Sequence, residues 1–235
     1  MIFAQNDFKE FKRHERYYER LGPSPENVLL PRDFYRFETV KRQLRGNSVL
    51  DVGCARADFL NLIKSTHQIA GIEITKSRAA LCNKLLGADV VMAADLEESI
   101  DLEDNSYDTI VCMEVLKHLT APLKTLRELS RVSAKRIILT VPFDEQIQYL
   151  LCVHCATYTP YSGHLHSFNM NNIQDIVPPD TEITHIKLIC NSILSRLPAL
   201  IFKLPYNIIQ TVDQSLNSIF PRAKWMLVNL DKIPL

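Results

Sequence analysis

The chain has 235 residues, 46% hydrophobic and 23% charged, with 27 basic residues against 27 acidic ones and a formal net charge of zero. Such a length and balance suit one large α/β domain with a buried core and exclude long disorder. Net neutrality also removes any bulk attraction for nucleic acid, which is therefore not an expected partner.

Residues 1–46 read as a helical extension. Phe8, Phe11, Tyr18 and Leu21 recur at helical spacing, Pro23, Pro25 and Pro31 interrupt them, and a second helix is expected over Asp33–Leu44, ending at Gly46. The opening MIFAQNDFKEFKRHERYYER is too charged for a signal peptide, and no apolar run reaches the ~20 residues that span a bilayer. Six scattered cysteines then read as reduced thiols, and the cytoplasm is the expected location.

From Ser48 the pattern alternates between apolar runs and amphipathic stretches. Strands are expected at 48–52, 69–74, 89–93, 107–113 and 136–141, with helices at 58–66, 76–86 and 121–132. That alternation predicts a doubly wound parallel sheet, and continuous apolar strands such as IILTV fit a sheet covered on both faces. Beyond Pro142 comes a polar Cys- and His-rich insertion (143–169). A short helix at 170–177, a strand at 183–190 and a strand at 224–230 follow. The expected organisation is thus one domain over 47–235 behind the 1–46 extension.

Four features sit where open α/β sheets bind ligands. Asp51 and Gly53 close the first strand at a turn feeding a helix N-terminus, whose amides can receive a carboxylate or phosphate. Glu73 ends the second strand, 22 residues after Asp51, placed to accept from ribose hydroxyls. Asp95 follows the third strand, where an acid can accept from an adenine amino group. MEVLKHL, residues 113–119, ends the fourth. A dinucleotide turn would need G-x-G-x-x-G, and only Gly53 is present.

The order DVGCARADF, GIEI, AADLEESIDLEDNSYDTIVCMEVLKHL, RIILTVP resembles the class I S-adenosylmethionine-dependent methyltransferases, in particular their broad small-molecule group. The resemblance covers about residues 48–142. It implies a seven-stranded Rossmann-like sheet with the last strand antiparallel, and S-adenosylmethionine as cofactor. It further implies that the loop Asp51, Gly53, Cys54, Ala55 approaches the methionine part of the cofactor. Glu73 would meet the ribose, Ile74 the adenine face, and Asp95 with Leu96 the adenine edge. Met113 and Glu114 would border methyl transfer. The implied activity moves a methyl group to an oxygen or nitrogen of a small molecule or glycan.

Two departures stand out. Relatives commonly carry glycine at positions 55 and 57, whereas this chain has Ala55 and Ala57, which cost on the order of 1 kcal/mol each if held at positive φ. A working loop of altered shape is the favoured reading, because Glu73 and Asp95 are both retained. Lys117 replaces an acid and is expected to be an exposed helix residue. It also weakens an RNA-methylating alternative that would need a metal-binding carboxylate there. A non-catalytic module of the same fold is the other alternative. His118 is a candidate base, its imidazole titrating ordinarily near ~6.5, or else a backbone-supporting residue.

The insertion LCVHCATYTPYSGHLHSF contains Cys152, Cys155, His164 and His166, enough donors for tetrahedral zinc. Three readings stay open: a zinc site on those four residues, histidines placed over the active site alongside His118, or a plain polar lid. The apolar stretch 194–209 is expected to pack on the sheet or a second subunit, with a substrate cap or peripheral membrane contact as alternatives. Oligomeric state does not follow from the sequence.

Overall fold

The computed structural model describes residue 19 and residues 29–153, 156–197 and 199–234. The first expected helix, with Phe8, Phe11, Tyr18 and Leu21, lies outside the described residues, as does Cys155. Nine strands are described: β1 (Ser48–Val52), β2 (Gln68–Glu73), β3 (Val91–Ala93), β4 (Tyr107–Met113), β5 (Ser133–Pro142), β6 (Tyr149–Leu151), β7 (Tyr158–Pro160), β8 (Thr181–Asn191) and β9 (Ala223–Lys232). The α-helices are α1 (Pro31–Lys41), α2 (Asp58–Ile63), α3 (Lys76–Leu86), α4 (Pro122–Val132), α5 (Ser192–Arg196) and α6 (Tyr206–Ile219).

Seven strands form one sheet in the order β3-β2-β1-β4-β5-β9-β8, and β6 pairs with β7 as a separate hairpin. β9 runs antiparallel to both β5 and β8, while the β1–β5 pairings are parallel. This is the expected seven-stranded, doubly wound sheet with its last strand antiparallel. The chain winds outward from β1 to β3, then restarts at β4 on the other side of β1. Their carboxyl ends therefore flank the crevice where such sheets take ligands.

Both faces of the sheet are covered, which is why its strands are apolar at successive positions. On one face Leu50, Ile110, Ile137 and Leu139 pack under Leu126 and Leu129 of α4. On the other, Val49, Val111, Ile138 and Trp225 meet Phe59 of α2, Phe37 of α1 and Ile209 of α6. Local chemistry sets the helix ends: Pro31 and Pro122 open α1 and α4, and Thr75 caps α3 by accepting from the Arg78 amide (3.2 Å).

Several boundaries shift from the sequence expectation for local reasons. β3 starts two residues late because the Asn83 side-chain oxygen takes the amides of Val90 and Val91 (3.0 and 2.7 Å). The expected helix at 170–177 is one 3₁₀ turn, Ile173–Ile176, preceded by an Asn169 side chain that accepts from the amides of Asn171 and Asn172. The apolar stretch 194–209 falls across α5, a 3₁₀ turn at Ala199–Lys203 and the start of α6, inserted between β8 and β9. Among the described residues no helix is long and apolar enough to cross a membrane.

Candidate active site at the carboxyl edge of the sheet

The turn after β1 is tight. The amides of Gly53 and Cys54 both donate to the Ile72 carbonyl (2.8 and 3.2 Å), drawing the loop against the end of β2. Gly53 has φ +72°, and a Cβ there would lie 2.3 Å from Val115 Cγ2, so glycine is required twice over. Ala55 (φ +54°) and Ala57 (φ +58°) also adopt the left-handed conformation, Ala57 directly before α2. The loop keeps a glycine-type backbone without the glycines, at an expense of roughly 1–2 kcal/mol per residue.

Glu73 holds the loop's far side. Its Oε1 accepts from the Ala55 amide (2.6 Å), its Oε2 from the Ile74 amide (3.0 Å), and Arg78 Nε lies 3.6 Å from Oε2. Burial raises its pKa above the usual carboxylate range, with Arg78 and the two amides pulling the other way. Asp51 is buried, and its Oδ1 has no hydrogen-bond partner. Burial and the neighbouring Glu73 raise its pKa, against a lowering by Arg36. An unpartnered buried carboxylate oxygen beside a glycine turn fits the methionine ammonium of S-adenosylmethionine. Each Glu73 oxygen keeps a lone pair for a ribose hydroxyl.

Cys54 packs beneath this loop. Its hydrogen bond with Cys82 and its burial hold its thiol above the ordinary range, so it is a neutral packing residue. Cys82 donates to the Ala55 carbonyl (3.1 Å). Asp95 is exposed beyond β3, its Oδ1 accepting from the Glu97 amide (2.9 Å), and Leu96 is buried beside it. Glu19 accepts from the Ser77 hydroxyl (3.1 Å to Oε2) near the start of α3, which brings part of the leading segment to the Glu73 side of the site.

At the end of β4, Met113 is half-buried and Glu114 has φ +64°. A 3₁₀ turn, Leu116–His118, follows. Lys117 is not the exposed helix residue expected from its charge. It is 8% exposed, and its Nζ lies 2.7 Å from Glu114 Oε2. The turn folds the lysine back over the strand end, where only a paired cation is tolerable. Arg36 of α1 approaches the other side of Glu114 (3.9 Å) and lies over the Trp225 ring, 4.5 Å from its centroid.

The three candidate histidines gather on this turn. His118 Nδ1 is 3.1 Å from the Gly163 carbonyl, the Leu165 amide donates to the Lys117 carbonyl (2.6 Å), and His166 Nε2 is 2.8 Å from the Leu119 carbonyl. Carbonyls only accept, so His118 carries a proton on Nδ1 and His166 on Nε2. His164 stacks edge-on against His118 (4.9 Å between centroids), and its Nδ1 bonds Glu145 Oε2 at 2.7 Å. The GHLHSF stretch thus zips onto VLKHL and walls the edge of β4.

The same bonds engage His164 and His166 away from the zinc set proposed with Cys152 and Cys155. Among the described residues no group of three or more His, Cys, Asp or Glu side chains is arranged to hold a metal ion. Zinc therefore gains no support from the structure, although Cys155 lies outside the described residues. Sequence reading missed Arg36, Arg78, Gly163, Glu145 and Trp225. Gly163 heads the quoted GHLHSF stretch, whereas the other four belong to no quoted motif, and each reaches the site only through folding.

Residues 50–139 match a protein family described as a methyltransferase domain. Among solved structures, the chain is similar to an S-adenosylmethionine-dependent methyltransferase from Mesorhizobium loti at 13% identity. That match covers 84% of this chain and 98% of the other, with TM-score 0.59. It is similar at 16% identity to the [4+2]-cyclase SpnF (84% and 79% covered, TM-score 0.58). A putative methyltransferase solved in complex with the Haloferax volcanii Trm112 methyltransferase activator matches at 13% identity, over 99% and 98% of the chains, with TM-score 0.58. Comparison with curated proteins gave no match.

Proposed function

This chain carries a methyltransferase domain on the class I S-adenosylmethionine-dependent fold, and on that premise we propose that it moves a methyl group to an oxygen or nitrogen of a small molecule or glycan. The observation that carries the reading is the pairing of the unpartnered, buried Asp51 oxygen with Glu73 across the Gly53 turn. Asp51 and the Gly53–Ala55 turn would hold the methionine end of the cofactor, Glu73 and Ile74 the ribose and adenine, and Asp95 with Leu96 the adenine edge.

Bound there, S-adenosylmethionine would supply an electrophilic methyl open to attack by an acceptor lone pair, the bond to sulfur breaking as the demethylated thioether leaves. The chain's part is mostly positioning. Met113 and Glu114 border the place of transfer, and the His118 turn closes it. Donation from His118 Nδ1 to Gly163 puts the basic lone pair on Nε2, suited to taking the acceptor's proton, with His164 and Glu145 bracing the ring. His118 is thus the proposed base, His164 a positioning residue and His166 a support for the wall.

Calorimetry tests the reading. The protein is expected to bind S-adenosylmethionine and its demethylated product, and Glu73→Ala to abolish that binding. Absence of binding of either ligand by the wild-type chain at millimolar concentration overturns the proposal. A second reading, a non-catalytic module of this fold, is favoured by the strained Ala55 and Ala57. Acceptor turnover that a competing pocket ligand blocks removes it.

A further inference from the structure

Two insertions leave the same edge of the sheet as the site, and neither carries an exposed acid over the stretches 146–163 and 192–222. The first follows β5 and contains the β6–β7 hairpin. Between Glu145 and His164 it has no Asp, Glu, Lys or Arg. Leu150, Leu151 and Val153 are exposed, Val153 at 91%, and Tyr149, Tyr158 and Tyr161 stand exposed beside them. The residues of β6 and β7 are exposed but for the half-buried Pro160, and three tyrosines around an aliphatic tip are the pattern of a membrane interface.

The second insertion runs from α5 through α6, between the carboxyl end of β8 and the start of β9, the strand adjoining β5. Leu200 (69%), Leu204, Ile208 and Ile219 are exposed on it. The acid in residues 192–222 is Asp213, which is buried and accepts from the amides of Cys190 and Asn191 and from the Tyr35 hydroxyl. Its charged surface therefore consists of the exposed cations Arg196, Lys203 and Arg222. Aliphatic side chains set among cations, with no exposed anion, match an interfacial helix on an anionic bilayer.

We propose that these two insertions dock the carboxyl edge of the sheet on an anionic phospholipid bilayer. The hairpin inserts its aliphatic tip while the α5–α6 segment lies on the surface through its leucines and cations. The methyl-transfer mouth then opens toward the lipid, and its acceptor is a molecule anchored in or lying against that bilayer. The part concerning the acceptor rests on the function proposed above.

The test is sedimentation of the full chain with phosphatidylcholine vesicles and with vesicles also containing phosphatidylserine. The wild type is expected to pellet with the mixed vesicles and to be released by salt. Leu150→Asp with Leu151→Asp, and separately Leu200→Asp with Ile208→Asp, should each lower partitioning at least about tenfold. All four residues are exposed, so both double variants should keep the wild-type fold by circular dichroism. Failure of the wild type to pellet with mixed vesicles, or wild-type pelleting by either double variant, overturns the proposal. So does self-association that both variants abolish without vesicle binding, which assigns the face to a second copy. Calorimetry with the demethylated cofactor product on the same variants should be unchanged. Loss of cofactor binding in the wild type would sink the methyltransferase reading instead, independently of lipid.

Discussion

Lys117 reaches back over one 3₁₀ turn to place its ammonium 2.7 Å from the carboxylate of Glu114, a residue held at φ +64°. Both side chains are largely removed from water, so each offsets the desolvation of the other. The pair shapes the border of the proposed methyl-transfer site, a placement of Lys117 that its sequence position alone does not suggest.

Breaking that pair is expected to cost more than an exposed ion pair would. Lys117→Met should leave Glu114 without its nearest cation and destabilise the fold by about 1–3 kcal/mol. Urea unfolding measures it. A difference from wild type below about 0.5 kcal/mol would show the pair to be energetically idle.

The loop makes opposite predictions at neighbouring positions. Ala55→Gly removes a Cβ from a left-handed residue and should stabilise by up to about 1 kcal/mol, net of the entropy glycine adds to the unfolded chain. Gly53→Ala should destabilise by about 1–3 kcal/mol, since its Cβ would meet Val115 Cγ2 at 2.3 Å. Thermal unfolding of the two variants should move in opposite directions.

Cofactor affinity should weaken with acidification earlier than ordinary carboxylates would allow. Burial raises the pKa of both Asp51 and Glu73, so each is protonated at a higher pH than a free carboxyl and gains its full accepting capacity only as pH rises through that value. Calorimetric titration of the demethylated product across pH 5 to 8 should show affinity rising with pH. Glu73→Gln should flatten that rise and lower affinity about tenfold or more at neutral pH. A flat wild-type profile would contradict the assignment.

Asp108 anchors the entry to β1 by accepting from the Asn47 amide (2.7 Å) and pairing with Lys135 (2.8 Å). The Lys135 hydrogen bond, with the Asn47 amide, lowers its pKa to about 2. A lowered carboxyl stabilises the fold above its unfolded-state pKa, and that contribution is lost as pH falls from about 4 toward 2. Asp108→Asn should therefore be less stable than wild type at pH 7, with the gap closing over that acid range in denaturant titrations.

Asp213 ties the α6 insertion to the sheet edge by three bonds, from the Cys190 and Asn191 amides and the Tyr35 hydroxyl (2.8, 2.7 and 2.9 Å). Asp213→Ala strands all three donors in the interior and should cost about 2–4 kcal/mol. Hydrogen exchange should show protection lost at Cys190 and Asn191 before β4 is affected.

Much of this molecule can be read along the chain. Strand and helix alternation from Ser48 to Pro142 is local pattern, because a strand covered on both faces must be continuously apolar and its crossover helix amphipathic. Asp51, Gly53 and Glu73 are likewise legible, since each ends a strand at an interval set by one βαβ unit. The left-handed backbone of Ala55 follows from the turn, although its residue type hides it.

What the chain order conceals is how an irregular turn folds back on itself and where distant segments meet. Lys117 looks exposed until a 3₁₀ turn folds it onto Glu114. His118, His164 and His166 share a wall only because Gly163, Leu165 and His166 bond the turn after β4. Arg36 reaches Glu114 and Trp225 because α1 packs on the sheet face beside α2. Local periodicity therefore determines the sheet and the cofactor acids, each within its own βαβ unit. Apart from the local Lys117–Glu114 pair, contacts around the proposed acceptor site such as His118 with Gly163 and Arg36 with Trp225 join residues far apart in the chain, and only folding brings them together.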